Sequence, residues 1–97
     1  MNDYEITIIY RNDMDEAVRT QLLERVLGWL TAANPDGAAP AVDHWGDRQL
    51  AYEINKQKIG HYVFYQANLD PAKLADFERN LMYADGVLRH MVIRKED

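Results

Sequence analysis

The sequence predicts an α+β fold with the element order βαββαβ, and three observations lead to that prediction. Four segments are rich in β-branched and aromatic residues, at 3–10, 41–54, 61–69 and 87–94. A segment with apolar residues at helical spacing lies after the first of these and another after the third. The second and third β segments are separated only by a short polar stretch, which is typical of a β-hairpin.

The first predicted strand, Asp3 to Tyr10, has two partly apolar faces and therefore suits the centre of a sheet. A helix should follow, because Asp13 can cap its first turn and Glu16 lies three residues later, as in a capping box. The segment from Asn34 to Pro40 should be a loop, since its prolines lack a backbone donor. The apolar stripe of this first helix is Val18, Leu22, Val26, Trp29 and Ala33, with Leu30 beside it.

The second predicted strand, Ala41 to Ile54, is long for a strand and contains Gly46, where we expect a bulge. A turn over residues 55–60 leads into the third strand, His61 to Leu69. Alternation places Tyr62 and Phe64 on one face of that strand. The opposite row should face the helices and consists of Val63, Tyr65, Ala67 and Leu69.

Asp70 followed by Pro71 is a strong signal for the start of the second helix. The helix should end at Asp85-Gly86, and the last strand should run from Val87 to Arg94. This order is that of a ferredoxin-like domain, in which two helices cover one face of a four-stranded antiparallel sheet. The other face is predicted to be open to a partner. The buried stripe of the second helix is Leu74, Phe77, Leu81 and Ala84.

Composition sets limits on the function. The 97 residues should form one domain, residues 1–97, and the absence of cysteine excludes disulfides and thiolate chemistry. No segment approaches the roughly 18 apolar residues of a membrane helix, so we expect a cytoplasmic protein without a membrane partner. The net charge of −5 speaks against a general nucleic-acid binder, so any anionic partner must meet a local cationic cluster.

Residues typical of catalysis, metal binding or cofactor binding are not grouped in the sequence. His44, His61 and His90 lie on different predicted strands without a third ligand, which predicts no metal site. The five glycines are dispersed, so no nucleotide-binding loop is expected. We therefore predict neither a cofactor nor a small-molecule substrate.

The central stretch of the chain is predicted to be a long hairpin arm with cationic and aromatic residues. Arg48 follows Gly46 on the second predicted strand, and Lys56 and Lys58 lie in the predicted turn at residues 55–60. Arginine and lysine bind phosphate, but on an edge strand and turn they also simply discourage aggregation. Residue type and spacing alone favour the second interpretation.

One set of residues, spread over nearly the whole chain, matches a known pattern in order and spacing. The set consists of Tyr4-Glu5-Ile6, Trp45-Gly46, Arg48, Leu50, Ala51, Tyr52, Ile54, Lys56, Gly60, Tyr62, Val87-Leu88-Arg89 and Met91-Val92. In these residues the sequence resembles the bacterial small-subunit ribosomal protein S6 family. The resemblance implies a ferredoxin-like protein that binds small-subunit ribosomal RNA in its platform region, together with ribosomal protein S18, and that is not an enzyme.

The resemblance implies RNA contacts for Arg48, Lys56 and Arg89, with Lys58, Arg94 and Lys95 as weaker candidates. It also implies a ribosome-associated, structural role in translation. We expect the aromatic residues Trp45, Tyr62 and Phe64 to form a protein-docking surface. Base stacking and plain packing are the alternatives for Tyr62 and Phe64, and closure of one end of the core is the alternative for Trp45.

Two other functions remain open at this stage. Family members commonly carry basic residues at the positions of Asn2 and Asp47, and many have a longer tail. These departures favour a protein-only module, or an acidic or engineered variant with weakened RNA binding that self-associates through an edge strand. An acyl-phosphate hydrolase of the same fold would need an anion-binding loop at residues 11–15, where Asp13 and Asp15 oppose Arg11.

Overall fold

The computed structural model describes residues 2–34 and 39–95, so most of the predicted loop at 34–40 and residues 96–97 lie outside the described residues. The strands pair antiparallel in the order β2-β3-β1-β4, and both helices pack on one face of the sheet. The predicted ferredoxin-like α+β fold is confirmed. The elements are β1 (Asn2–Arg11), α1 (Glu16–Ala32), β2 (Ala41–Ile54), β3 (Gln57–Leu69), α2 (Pro71–Tyr83) and β4 (Val87–Arg94).

The core lies between the helices and one face of the sheet, which we call the helix-covered face. Alternate residues of the two central strands are buried there because side chains of a strand alternate between its faces. Burial of each large apolar side chain stabilises the fold by about 1.5–3 kcal/mol. The buried residues include Tyr4, Ile6, Ile8 and Tyr10 of β1, Val63, Tyr65 and Leu69 of β3, and Leu22, Val26, Leu30, Phe77 and Leu81 of the helices.

The start of α1 differs from the prediction. Its N-cap residue is Asp15, whose side chain makes no capping hydrogen bond, and Asp13 instead accepts hydrogen bonds from Arg11. Val18 was predicted to lie in the buried stripe but is 50% exposed, whereas Met14 packs against the core. At the other helix the prediction is confirmed, since the carboxylate of Asp70 accepts a hydrogen bond from the backbone N–H of Ala72 at 3.0 Å.

The hairpin turn is tighter than predicted. Only Asn55 and Lys56 form it, and β3 begins at Gln57 rather than at His61. Both turn residues have positive φ, 48° and 64°, as in the two-residue turns that match the twist of paired strands. Asparagine is common in that conformation but lysine is not, so the sequence signal for the turn was weak.

Strand β2 is irregular at two places. The register with β3 shifts between His44 and Gly46, which makes Trp45 an extra residue and confirms the bulge predicted near Gly46. A second irregularity lies between Gln49 and Ile54, whose partners on β3 are Ile59 and Gln57. Residues 50–53 therefore leave the regular ladder, which the sequence did not predict.

Gly60 holds this irregular segment close to the sheet. A Cβ atom at Gly60 would overlap Cγ2 of Ile9 and lie 3.2 Å from Cδ2 of Leu50, which is only 8% exposed. We expect Gly60→Ala to lower the free energy of unfolding by about 1–3 kcal/mol through overpacking. Urea denaturation measures the change.

Gly28→Ala is the matched control, because Gly28 lies at an exposed position of α1 and a Cβ atom there would meet nothing within 4 Å. Alanine there should stabilise the protein by about 0.5–1 kcal/mol through helix propensity. Equal stability of the Gly60→Ala variant and the unmodified protein would contradict the proposed close packing at Gly60.

Candidate functional surface

The sheet face opposite the helices, which we call the open face, carries side chains from all four strands. Thr7 pairs with Phe64 on one side and with Met91 on the other. One step further towards the hairpin, Ile9 pairs with Tyr62 and with Arg89. Residues paired across strands lie on the same face, so these side chains form continuous rows. Tyr62 and Phe64 lie on the predicted face.

An aromatic cluster, Trp45 and Phe64, lies on the β2 side of the open face. Their rings stack with centroids 5.2 Å apart and an interplanar angle of 13°. The indole Nε1–H of Trp45 donates to Oδ2 of Asp43 at 2.9 Å, and Trp45 remains 40% exposed. Trp45 therefore does not close an end of the core, because its position in the bulge lets it lie on Phe64.

The bulge also determines where Arg48 points. Past Trp45, Gly46 pairs with Tyr62 and Arg48 pairs with Gly60, so Arg48 shares the open face. Strict alternation from Asp43 would have placed Arg48 on the helix-covered face. Its guanidinium lies over the Trp45 ring, 5.3 Å from the ring centroid.

Arg89 reaches the same face from β4. Its guanidinium donates a hydrogen bond to the hydroxyl of Tyr52 and lies 5.9 Å from the centroid of that ring. Tyr52 belongs to the irregular part of β2, which thereby crosses towards the opposite edge of the sheet. The contact was not predicted from the sequence, since it depends on the second irregularity. Within residues 2–34 and 39–95, no carboxylate forms an ion pair with Arg48 or Arg89.

The six predicted RNA-contact residues divide between two ends of the sheet. Lys56 lies in the hairpin turn and Lys58 beside it, beyond the pair formed by Arg11 and Gly60. Arg48 and Arg89 lie at this same end, and we call these four residues the hairpin-end cations.

The two remaining cations, Arg94 and Lys95, lie at the opposite end. Arg94 pairs with the buried Tyr4, and the backbone N–H of Lys95 donates to the carbonyl of Asp3 at 2.8 Å. They therefore do not share a patch with the hairpin-end cations.

Arg11 is compensated by neighbouring acids. Its Nε and Nη2 donate to the two carboxylate oxygens of Asp13 at 3.0 and 2.9 Å, and Asp85 lies 3.8 Å away. The hydrogen bond from Arg11 lowers the pKa of Asp13, and the same contact raises the pKa of Arg11. Gln57 also donates to Asp13 at 3.3 Å and so connects the hairpin to this loop. An arginine held in this way is poorly suited to bind a substrate anion.

Two of the three histidines, His61 and His90, each pair with a different acid. Nδ1 of His61 lies 3.1 Å from Asp47, and Nε2 of His90 lies 3.4 Å from Glu78. Asp47 pairs with His61 on the helix-covered face, so it points away from Arg48.

Two other kinds of site were searched for among the described residues. No group of three histidine or acidic side chains is positioned there to hold a metal ion. No helix in that part of the chain is both long and apolar enough to cross a membrane.

Known proteins match the chain along most of its length. The family model described as ribosomal protein S6 matches residues 3–94. The small ribosomal subunit protein bS6 of Alkaliphilus metalliredigens is 43% identical, with 100% of both chains covered. The bS6 protein of Alkaliphilus oremlandii is 45% identical, with 99% of each chain covered.

A solved structure shows the same fold. The 30S ribosomal protein S6 of Thermotoga maritima superposes with a TM-score of 0.80 at 24% identity, covering 97% of this chain and 87% of that one. At this identity the similarity supports the βαββαβ arrangement alone.

Proposed function

The chain belongs to the ribosomal protein S6 family, and from that premise we propose that it is a structural protein of the bacterial small ribosomal subunit that binds ribosomal RNA together with ribosomal protein S18. The observation that carries this proposal is the placement of Arg48 and Arg89 on one face without an acidic partner among the described residues. The protein acts by binding rather than by catalysis, in the cytoplasm as part of the ribosome, without a cofactor or a small-molecule substrate.

The hairpin-end cations supply the RNA contact. Arginine presents several N–H groups in a planar fork that matches two phosphate oxygens, and lysine adds a mobile point charge. Interactions between exposed charges are screened over about 10 Å at 0.1 M salt. A local cationic surface can therefore bind a polyanion although the whole chain has a net charge of −5.

Arg94 and Lys95 act separately in this proposal. They lie at the other end of the sheet, so they would contact a different segment of the RNA from the one bound by Arg48 and Arg89. Phosphate contacts fix the position of the protein, and the folded shape of the RNA supplies selectivity.

The aromatic residues Trp45, Tyr62 and Phe64 provide the surface for S18. Tryptophan and tyrosine are enriched among residues that contribute strongly to protein interfaces. The stacked and partly exposed Trp45 is already fixed in place by Phe64 and Asp43, so little side-chain freedom is lost on binding. Of the alternatives, packing alone does not explain why Trp45 stays exposed.

A gel-shift titration of the platform RNA with and without S18 tests the proposal. We expect binding in both titrations, with a tighter complex when S18 is present and an affinity that falls linearly with salt on logarithmic axes. Absence of a shift in both titrations at low salt would contradict the proposed function.

A further inference from the structure

Arg89 is held by an aromatic hydroxyl that comes from the other edge of the sheet. Its Nη1 donates a hydrogen bond to the hydroxyl of Tyr52, and its guanidinium lies 5.9 Å from the centroid of that ring. Tyr52 belongs to β2 and Arg89 to β4, which are the two edge strands. From this contact we infer that Tyr52 is a positioning residue, which holds the guanidinium of Arg89 in the orientation that binds an RNA phosphate. The inference rests on the proposed RNA binding and names the residue that organises it on the β4 side.

Residues 50–53 of β2, which we call the strap, are fixed on both sides. Before Tyr52 in the chain, Leu50 is only 8% exposed and lies against Gly60. After the turn, Gln57 donates a hydrogen bond to the loop that follows β1. The strap has no partners in the ladder with β3, so these two contacts determine where Tyr52 lies.

The partner of Arg89 is neutral, so it holds the guanidinium without compensating its charge. Arg11 shows the opposite case, because its Nε and Nη2 donate to both carboxylate oxygens of Asp13. In the part of the chain that the structure describes, no carboxylate forms an ion pair with Arg89. Arg89 therefore keeps its full attraction for phosphate, and its other N–H groups stay available as donors.

Holding Arg89 in advance reduces the cost of binding. Arg89 is exposed and has a long side chain, so without the contact its guanidinium would sample many rotamers. The loss of that freedom on binding opposes association. The hydroxyl of Tyr52 removes part of the loss beforehand, and the attraction between the guanidinium and the ring adds to the effect.

Gel-shift titration of the platform RNA with S18 present tests the inference. The test variant is Tyr52→Phe, which removes the hydroxyl and keeps the ring. The matched control is Tyr83→Phe, because Tyr83 is an 80% exposed tyrosine at the end of α2. We expect the test variant to bind about threefold to tenfold more weakly, because one hydrogen bond is lost. Its salt slope should be unchanged, because the number of phosphate contacts is the same. The control should bind like the unmodified protein.

A second pair of variants separates positioning from a merely structural role. Arg89→Met removes the guanidinium and keeps an unbranched side chain. If Tyr52 acts through Arg89, addition of Tyr52→Phe to Arg89→Met should cause no further loss of RNA affinity. If Tyr52 instead only stabilises the hairpin, the double variant should bind more weakly than Arg89→Met, because the cations of the hairpin would be displaced as well. That result would overturn the inference.

NMR spectra of the free protein report the orientation of Arg89 without RNA. In the unmodified protein the two Nη groups of Arg89 should give separate signals, because the hydrogen bond to Tyr52 must break before the guanidinium can turn. In Tyr52→Phe the signals should merge. Spectra that do not differ between the two proteins would overturn the inference.

The remaining outcomes distinguish the inference from the proposed function. If the unmodified protein binds no RNA, the proposed function is wrong and the inference falls with it. If the unmodified protein and Tyr52→Phe bind RNA equally well, or Arg89→Met binds like the unmodified protein, the inference is overturned while RNA binding by the chain stands. Tighter binding by Tyr52→Phe would show that Tyr52 masks Arg89, which also overturns the inference.

Discussion

Replacement of both Arg48 and Arg89 by glutamate should weaken binding to the platform RNA by about a hundredfold or more. Each hydrogen bond involving a charged group contributes about 1.5–3 kcal/mol, and each reversal adds repulsion. The loss of two phosphate contacts should also make the negative slope of log affinity against log salt shallower, by about 1.4–1.8. Gel-shift titration at several salt concentrations measures both quantities.

The matched control reverses Arg25 and Arg79 instead. These residues lie on the helices, are exposed, and change the net charge by the same amount when replaced by glutamate. Arg79 forms only an exposed pair with Asp76 at 3.2 Å, so its loss costs little stability. Equal losses of RNA affinity in the two double variants would show that total charge decides binding. The proposed RNA surface would then be wrong.

Replacement of Tyr10 by phenylalanine should lower the free energy of unfolding by about 1–3 kcal/mol. The hydroxyls of Tyr10 and Tyr65 lie 2.6 Å apart in the core, and both side chains are almost fully buried. The single change leaves the hydroxyl of Tyr65 without that partner, which costs its desolvation. The double change to phenylalanine removes both hydroxyls, so it should cost less than the sum of the two single changes. Urea denaturation of the four proteins measures this coupling, and additive effects would contradict it.

The same pair predicts a loss of stability in alkali. Burial raises the pKa of Tyr65 to about 12, and burial together with the neighbouring Tyr65 raises the pKa of Tyr10 further above its usual value. In the unfolded chain both groups ionise near pH 10. Because the folded pKa values are the higher ones, this contribution to stability is intact below pH 10 and falls as the pH rises towards 12 and beyond. The double phenylalanine variant should show a smaller decrease over this range, and identical decreases would contradict the assignment.

Arg48 shows why the candidate site was only partly predictable. The resemblance to a family identified it, together with Arg89, but strand alternation alone would have separated the two side chains. The extra residue at Trp45 reverses the alternation of β2 and brings Arg48 onto the face of Arg89. Glycine at position 46 signalled a bulge, but its register could be read only from the pairing with β3. The role of both arginines in RNA binding remains a prediction.

The sequence by itself determined the order of elements, the bounds of β2 and β4, the start of α2 at Asp70-Pro71, and the alternation that leaves Tyr62 and Phe64 on the open face. These features depend on interactions between residues close together in the chain, which periodicity and capping signals report. Only the tertiary structure decided the partners of Asp13, the exposure of Val18, and the reach of Tyr52 across the sheet to Arg89. Each of these depends on the register between strands distant in sequence and on the space that the packed helices leave. No local pattern encodes those quantities.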